Sequence, residues 1–245
     1  MIDNKFGKFL VSQIDSRFPA AIFFKETDDR VIALTIDDVP ARDEDVKDST
    51  RKILEVIEFH NQAFSTNVNA TFFVTTDHVK FNTHQDKLDS EILSDIVAKG
   101  HEIGNHGKFD CRHANLSKSH FEAEFSEAHQ FLSDQISSPI RWFRPGQAFY
   151  NDSMLEILTT VGKDLGYQEK FALASMVPFD TKELLDDPSF TLKNIARFTF
   201  PGSILLLHGG LSHQAVNTIE VLKQLLPRLH QQNYQVVSLS QLISS

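Results

Sequence analysis

The sequence predicts an α/β fold, a single-domain distorted (β/α) barrel of about seven parallel strands. Short apolar, β-branched runs alternate with amphipathic helical patterns along the whole chain, at the spacing of βα units. No Gly/Ser-rich linker, compositional break or fixed-period repeat interrupts this alternation over the 245 residues. We therefore expect an N-terminal extension at residues 1–30, packed on the barrel, and one domain over residues 31–245.

The strand predictions rest on runs of β-branched and aromatic residues that are bounded by turn residues. The clearest run covers residues 31–40 and ends abruptly on Asp37, Asp38 and a proline. A short apolar run of this kind indicates a buried strand that carries two acids to its C-terminal edge. Further strands are predicted at residues 19–24, 70–75, 101–106, 141–143, 170–175, 203–207 and 235–239.

The helix predictions rest on apolar residues that recur every three or four positions. Residues 1–18 contain one such stripe, which predicts an N-terminal helix. Gly100 ends the helix predicted at residues 89–99, because glycine tolerates the left-handed backbone found just after a helix. Further helices are predicted at residues 53–60, 116–136, 153–161, 192–198 and 215–230.

Composition and charge disfavour several classes of partner. The chain has 24 Lys and Arg against 33 Asp and Glu, a formal charge of −9, and no long basic run, so we expect neither a nucleic-acid nor an anionic-membrane partner. Cys111 is the single cysteine, which excludes an intrachain disulfide. No apolar run is long enough to span a membrane, and residues 1–20 lack the apolar core of a signal peptide. We expect a cytoplasmic protein, or a secreted or periplasmic one if a leader has been removed.

Reactive side chains lie at the C-terminal ends of the predicted strands. In a parallel barrel, the loops at these ends form the active site. Asp37 and Asp38 end one strand, His106 ends another, and Arg144 and His208 each come directly after a further strand. Because successive side chains on a strand point in opposite directions, the two aspartates are expected to have different roles. The convergence of these five residues predicts an active site.

The spacing of His106 and Asp110 indicates a metal site. The two residues are four apart, so on a helical turn their side chains would face the same way. With Asp38 they would form a three-ligand set that leaves positions open for water. This oxygen-rich set predicts a divalent metal, zinc first, with nickel, cobalt or manganese able to compete. His113 is the alternative third ligand, although it lies seven residues beyond His106, about two helical turns away.

Four short stretches carry a resemblance to a known family. Residues 35–38 (Thr-Ile-Asp-Asp) are similar to a T-F-D-D-G motif, and residues 100–106 to a second motif in which another histidine follows four positions later. Asp110 stands at that later position here. Residues 144–146 (Arg-Pro-Gly) resemble the start of an R-P-P-Y-G motif, and residues 206–208 resemble an L-x-H motif. By these motifs the chain resembles the polysaccharide deacetylase family, the NodB-homology or carbohydrate esterase family 4 enzymes.

The resemblance implies roles for the residues of the first and third motifs. Asp37 would be the catalytic base, and Asp38 would be the first metal ligand. Arg144 would orient the base through a charge-assisted hydrogen bond. Gln147 stands where the family has Tyr and would offer its backbone N–H to the oxyanion.

The resemblance also implies roles for the later motifs. His208 would be the general acid, and Leu206 would line a pocket for the acyl methyl group. The family's fourth motif, which contains Asp and Trp, is matched only by Phe179-Asp180. Asp180 would then orient His208.

These roles imply metal-dependent removal of N-acetyl groups from amino sugars in a glycan of the polysaccharide, chitooligosaccharide or peptidoglycan type. The substrate would be a glycan or a small N-acylated molecule. One alternative is a hydrolase of the same fold that opens a cyclic imide or ureide, removes a formyl group or cleaves an O-acetyl ester. Another is an inactive relative that binds glycan without cleaving it. The sequence leaves the oligomeric state open.

Overall fold

The structure is a computed structural model that describes residues 4–42, 49–80, 91–176, 180 and 187–244. Strands and helices alternate through these ranges, as the sequence predicts. The strands are β1 (Ala21–Ile22), β2 (Val31–Val39), β3 (Ala70–Val74), β4 (Glu102–Asn105), β5 (Phe171–Ala172), β6 (Ile204–His208) and β7 (Gln235–Val237). The helices are α1 (Lys5–Asp15), α2 (Ser49–Phe64), α3 (Thr76–Lys80), α4 (Glu91–Ala98), α5 (Lys118–Gln135), α6 (Asp152–Ile157), α7 (Pro188–Phe198), α8 (Ser212–Gln231) and α9 (Leu239–Ser244).

Strand β2 is the centre of the main sheet. It pairs in parallel with β3 on one side and with β6 on the other, while β7 pairs with its first three residues. Strand β4 extends the sheet beyond β3, again in parallel. Nearly all of β2 is buried, as expected for a parallel strand covered by helices on one side and by the barrel interior on the other. Its C-terminal end carries Asp37 and Asp38.

Backbone hydrogen bonds continue the pairing beyond β4 and lead round to β6. The predicted strand at 141–143 is reduced to one parallel bridge, between Asn105 and Phe143. Strand β5 lies next in the ring and also pairs with β1. The strands in this region pair over only one or two residues, so the α/β fold with parallel strands is confirmed while the regular sheet stays open on this side. The connecting bonds are Arg144 N–H to Asn105 O (3.1 Å), Ala172 N–H to Phe143 O (3.0 Å) and Ser175 N–H to Ile204 O (2.9 Å).

The N-terminal helix forms as predicted, but its apolar stripe is not its packing face. Gly7 and Val11 are buried, whereas Phe6 on the stripe is 68% exposed. A Cβ on Gly7 would lie 2.3 Å from Arg197 O, so glycine allows α1 to approach the end of α7. None of the helices in the described ranges combines the length and the apolar character that a membrane span requires.

The C-terminal end shows one local difference from the prediction. The last strand was predicted to run to residue 239, but β7 ends at Val237 and α9 begins at Leu239. Ser238 accounts for the change, because its side chain accepts from Gln241 N–H and its own N–H donates to the Gln241 side chain. This reciprocal capping favours a helix start over continuation of the strand.

Candidate active site

A buried ion pair lies at the end of β2. Arg144 Nη1 donates to Asp37 Oδ1 at 2.6 Å, and each residue is only 3% exposed. Burial removes both groups from water, so each depends on the other for charge compensation. Burial lowers the pKa of Arg144, although the charge of Asp37 opposes that shift. Asp37 is therefore held in one orientation.

The rest of the Arg144 side chain is fixed by neighbouring strands. Its Nε donates to Ala172 O at 2.8 Å and its Nη2 to Leu173 O at 3.1 Å, both at β5. Its Nη1 also donates to Thr35 Oγ1 at 2.8 Å, and its guanidinium carbon lies 4.1 Å from the centre of the Phe73 ring. Arginine suits this site because its planar fork presents several donors at once. Arg144 thus acts as a rigid support for Asp37.

Asp38 has a backbone conformation that is unusual for a strand residue. Its φ is +62°, in the left-handed region, and the β2–β3 register shifts between Ile36 and Val39. As a result Asp37 and Asp38 do not face opposite sides of the sheet: Oδ2 of Asp37 and Oδ1 of Asp38 lie 3.8 Å and 3.2 Å from Nε2 of His106. The expectation from strand alternation is therefore corrected, because the bulge turns both carboxylates toward one histidine.

His106 has the tautomer of a metal ligand. Its Nδ1 lies 2.8 Å from Arg144 O, a carbonyl that can only accept, so Nδ1 carries the proton and Nε2 faces the two carboxylates. Burial opposes protonation of His106, but the charges of Asp37 and Asp38 outweigh it and raise its pKa. Burial likewise opposes ionisation of Asp38, but the charge of His106 and its hydrogen bond dominate and lower the pKa of Asp38.

The Asp38 and His106 pair fits a divalent cation. Two ligands bound to one tetrahedral zinc at about 2.0–2.2 Å lie about 3.3 Å apart. The observed 3.2 Å between Asp38 Oδ1 and His106 Nε2 matches that separation. The pair therefore offers one oxygen and one nitrogen at suitable positions, with a carbonyl fixing the histidine ring.

The structure does not bring Asp110 to this pair. Residues 107–112 form no helix, so the geometry expected from the four-residue spacing does not arise, and the Asp110 side chain is exposed. His113, by contrast, is buried. A ring nitrogen of His113 lies within 4.8 Å of Cys111 Sγ and of a carboxylate oxygen of Glu124, which themselves lie within that distance of each other. Among the described residues, neither candidate forms with Asp38 and His106 a group of three ligand atoms that all lie within 4.8 Å of one another.

His208 lies opposite Asp37 on the neighbouring strand and is held by Asp180. Asp37 and His208 are register partners between β2 and β6. The carboxylate of Asp180 accepts from Nδ1 of His208 at 2.7 Å and from its backbone N–H at 3.0 Å. Burial would lower the pKa of His208, but the charge of Asp180 and this hydrogen bond outweigh it and raise the pKa to about 9. At neutral pH His208 is therefore protonated, with its Nδ1 proton donated to Asp180.

The two remaining predicted residues lie near the same end of the barrel. Leu206 is two residues before His208 on β6 and is partly buried, so the two side chains lie on one face of the strand. Gln147 is exposed on a 3₁₀ turn with φ +59°, three residues after Arg144. Phe179, the neighbour of Asp180 in the weak fourth motif, lies outside the described residues.

Two residues that support Asp38 were not singled out from the sequence. Nδ1 of His78 lies 2.9 Å from Asp38 O and 3.0 Å from Pro40 O, so it donates to both carbonyls and holds the bulge. Gly210 leaves space for Asp38, because a Cβ there would lie 2.4 Å from Asp38 Cβ. Like Asp37, Arg144 and His208, His78 lies close to the C-terminal end of a strand, here β3. The search for polar residues at strand ends could therefore have found it.

Comparison with known proteins shows the family to which the chain belongs. The family model described as polysaccharide deacetylase matches residues 24–168, more than half of the chain. The chain belongs to the polysaccharide deacetylase family. A peptidoglycan-N-acetylglucosamine deacetylase of Bacillus cereus is 25% identical over 215 residues, which cover 88% of this chain and 89% of that protein. The resemblance stated from the motifs is therefore confirmed.

Solved structures of polysaccharide deacetylases share this fold. A peptidoglycan N-acetylglucosamine deacetylase in complex with an N-hydroxybenzamide compound matches with a TM-score of 0.75 at 20% identity, covering 93% of this chain and 94% of the other. A CE4 family pseudoenzyme from Bacillus anthracis matches with a TM-score of 0.73 at 23% identity, covering 91% of this chain and 69% of the other. At these identities the matches confirm the fold.

Proposed function

We propose that the protein is a metal-dependent hydrolase that removes N-acetyl groups from amino sugars in a glycan. The observation that carries the proposal is the placement of a fixed carboxylate (Asp37) and a protonated histidine (His208) on adjacent strands, with Asp38 and His106 beside Asp37. A binding protein has no need of such an acid and base pair. The Bacillus cereus relative, named for deacetylation of N-acetylglucosamine in peptidoglycan, supports the choice of bond and substrate class.

Asp38 and His106 would hold the cation, for which zinc is the first candidate. When bound, such an ion polarises a carbonyl and lowers the pKa of water. Asp110 would supply a third ligand only if residues 107–112 changed conformation on cation binding, because its side chain is exposed in the structure. Water or substrate oxygen would otherwise complete the coordination.

Asp37 takes the proton from the attacking water. Arg144 keeps Asp37 correctly oriented, with its own position set by two carbonyl groups, those of Ala172 and Leu173. The backbone N–H near Gln147 donates to the oxygen that becomes negatively charged in the tetrahedral intermediate. Leu206 lines the pocket for the acetyl methyl group.

His208 protonates the leaving amine. This step requires a histidine that is charged at neutral pH yet close to a reacting nitrogen, and Asp180 provides the first condition. Asp180 accepts from Nδ1, so the proton on Nε2 is the one that is transferred. The acid and the base thus belong to different strands and have different buried partners.

Chelation and a substrate panel test the proposal together. The protein is assayed for acetate release from N-acetylated glycan fragments before chelation, after exhaustive chelation and after return of zinc, nickel, cobalt or manganese. We expect activity to disappear and to return with at least one metal. Full activity in the chelated protein would refute metal dependence, and release of formate or ammonia from other substrates, with no acetate from glycans, would favour the alternative C–N hydrolase.

A second candidate is an inactive glycan-binding relative. The observation that favours it is that, among the described residues, Asp38 and His106 belong to no group of three metal-ligating side chains whose ligand atoms all lie within 4.8 Å of one another. The Bacillus anthracis relative is itself described as a pseudoenzyme. Glycan binding without acetate release under any metal loading would support this candidate. Acetate release that depends on Asp37 would exclude it.

A further inference from the structure

His113 is held by a hydrogen bond whose direction determines its tautomer. The backbone N–H of Gly146 donates to Nδ1 of His113 at 2.8 Å. A backbone N–H can only donate, so Nδ1 must present its lone pair and the proton of the neutral ring must lie on Nε2. Nε2 is buried and has no hydrogen-bond partner among the described residues.

This arrangement is the reverse of that at His106. There a carbonyl accepts from Nδ1, so in the neutral ring the lone pair lies on Nε2, the nitrogen that faces Asp38. At His113 the lone pair of Nδ1 is already used, so coordination through Nε2 would require an imidazolate ring. The two histidines therefore have opposite neutral tautomers: the proton lies on Nδ1 in His106 and on Nε2 in His113.

Two glycines allow the backbone to pack closely around the His113 ring. A Cβ on Gly107 would lie 2.3 Å from Nε2 of His113, so the Gly107 backbone packs against that nitrogen. A Cβ on Gly146 would lie 2.0 Å from Cys111 O and 3.2 Å from Nδ1 of His113. The family motif quoted above has proline at the position of Gly146, and proline has no N–H to donate. The bond to His113 is thus a property of this chain's own residues.

We propose that His113 is a positioning residue, which holds the segment 144–147 through Gly146 and does not bind the cation. This proposal rests on the proposed function, since the same segment carries Arg144 and the oxyanion donor near Gln147. Gly146 lies between these two residues in the chain, two after Arg144 and one before Gln147. A shift of Gly146 would misplace both the support of the base and the oxyanion donor, and such shifts of about 1 Å cost roughly 100-fold in rate.

The test compares two substitutions that keep different parts of the imidazole. His113→Asn retains an acceptor close to the position of Nδ1, and His113→Gln reaches toward the position of Nε2 instead. His120→Asn, on the exposed first turn of α5, is the matched control. Zinc stoichiometry, kcat and KM are measured for each, and nitrogen NMR reports the protonation of both His113 nitrogens with and without zinc.

We expect all three variants to bind zinc as the wild type does. His113→Asn should keep kcat within about threefold, whereas His113→Gln should lose about tenfold or more in kcat with KM little changed. In the wild type, Nε2 of His113 should keep its proton at saturating zinc. Loss of that proton on zinc binding, or loss of zinc from His113→Asn while His113→Gln retains it, would overturn the proposal.

The design separates this inference from the proposed function. If the wild type binds no zinc and releases no acetate, the proposed function fails, but the tautomer of His113 is still read in the metal-free protein. A proton on Nδ1 would then refute the proposal on its own. If a variant fails to fold, the NMR measurement on the wild type decides the question.

Discussion

Replacement of Asp180 by Asn should move the alkaline limit of the reaction. Asp180→Asn keeps the shape of the side chain and one oxygen acceptor but removes the negative charge beside His208. In the wild type, burial lowers the pKa of His208, while the charge of Asp180 and its hydrogen bond outweigh burial and raise it to about 9. Because His208 donates a proton, the rate should be high below its pKa and should fall above it.

The size of the effect follows from the two pKa values. Without the charge of Asp180, the pKa of His208 should fall to the ordinary value of 6.5 or lower, since burial is then opposed only by the weaker effects of Asp38 and Asp37. At pH 8 the protonated fraction of His208 would drop from about 0.9 to about 0.03, so kcat should fall about 30-fold. At pH 6 the same variant should lose less than about threefold of the wild-type kcat, because much of its His208 remains protonated there.

The assay is a profile of kcat against pH for acetate release, with the protein loaded with the same metal throughout. Asp134→Asn is the matched control, since Asp134 is exposed on α5. NMR titration of His208 in the metal-free protein gives its pKa without reference to activity. An alkaline limit that stays near 9 in Asp180→Asn, together with an unchanged His208 titration, would refute the reasoning.

Three further substitutions test other parts of the site. Arg144→Ala should lower the free energy of unfolding in urea by about 3–5 kcal/mol, because Asp37 would be left buried without a counter-charge; an unchanged midpoint would contradict the buried ion pair. Gly210→Ala should weaken zinc binding in a calorimetric titration, because the new methyl group would lie 2.4 Å from Asp38 Cβ; wild-type affinity would show that Asp38 can move freely. Asp37→Asn should lower kcat by about 100-fold or more while zinc still binds, and a near-normal rate would exclude Asp37 as the base.

Several features of the site could be predicted because they depend on local sequence. The apolar run before Asp37 and Asp38 specifies a buried strand wherever it lies in the chain, and parallel strands bring their C-terminal ends together. Arg144 and His208 were found by the same rule, and both lie next to Asp37. Asp180 was reached only by motif order, yet its carboxylate does accept from His208.

Other features depended on local geometry that the sequence does not reveal. Strand alternation predicted opposite directions for Asp37 and Asp38, but the left-handed backbone of Asp38 turns both toward His106. The spacing of Asp110 suggested a helical turn, but residues 107–112 are not helical. Spacing arguments require a regular element, and both stretches are irregular.

The sequence by itself determined the parallel α/β architecture, the family and the strand ends at which the reactive residues lie, because apolar periodicity and short motifs are properties of contiguous residues. Only the tertiary structure decided the orientation of each side chain and which nitrogen of each histidine carries the proton. His106 has its proton placed by Arg144 O, and His113 has its own placed by Gly146 N–H. Those partners lie more than 30 residues away along the chain, so no local pattern encodes which nitrogen is left free.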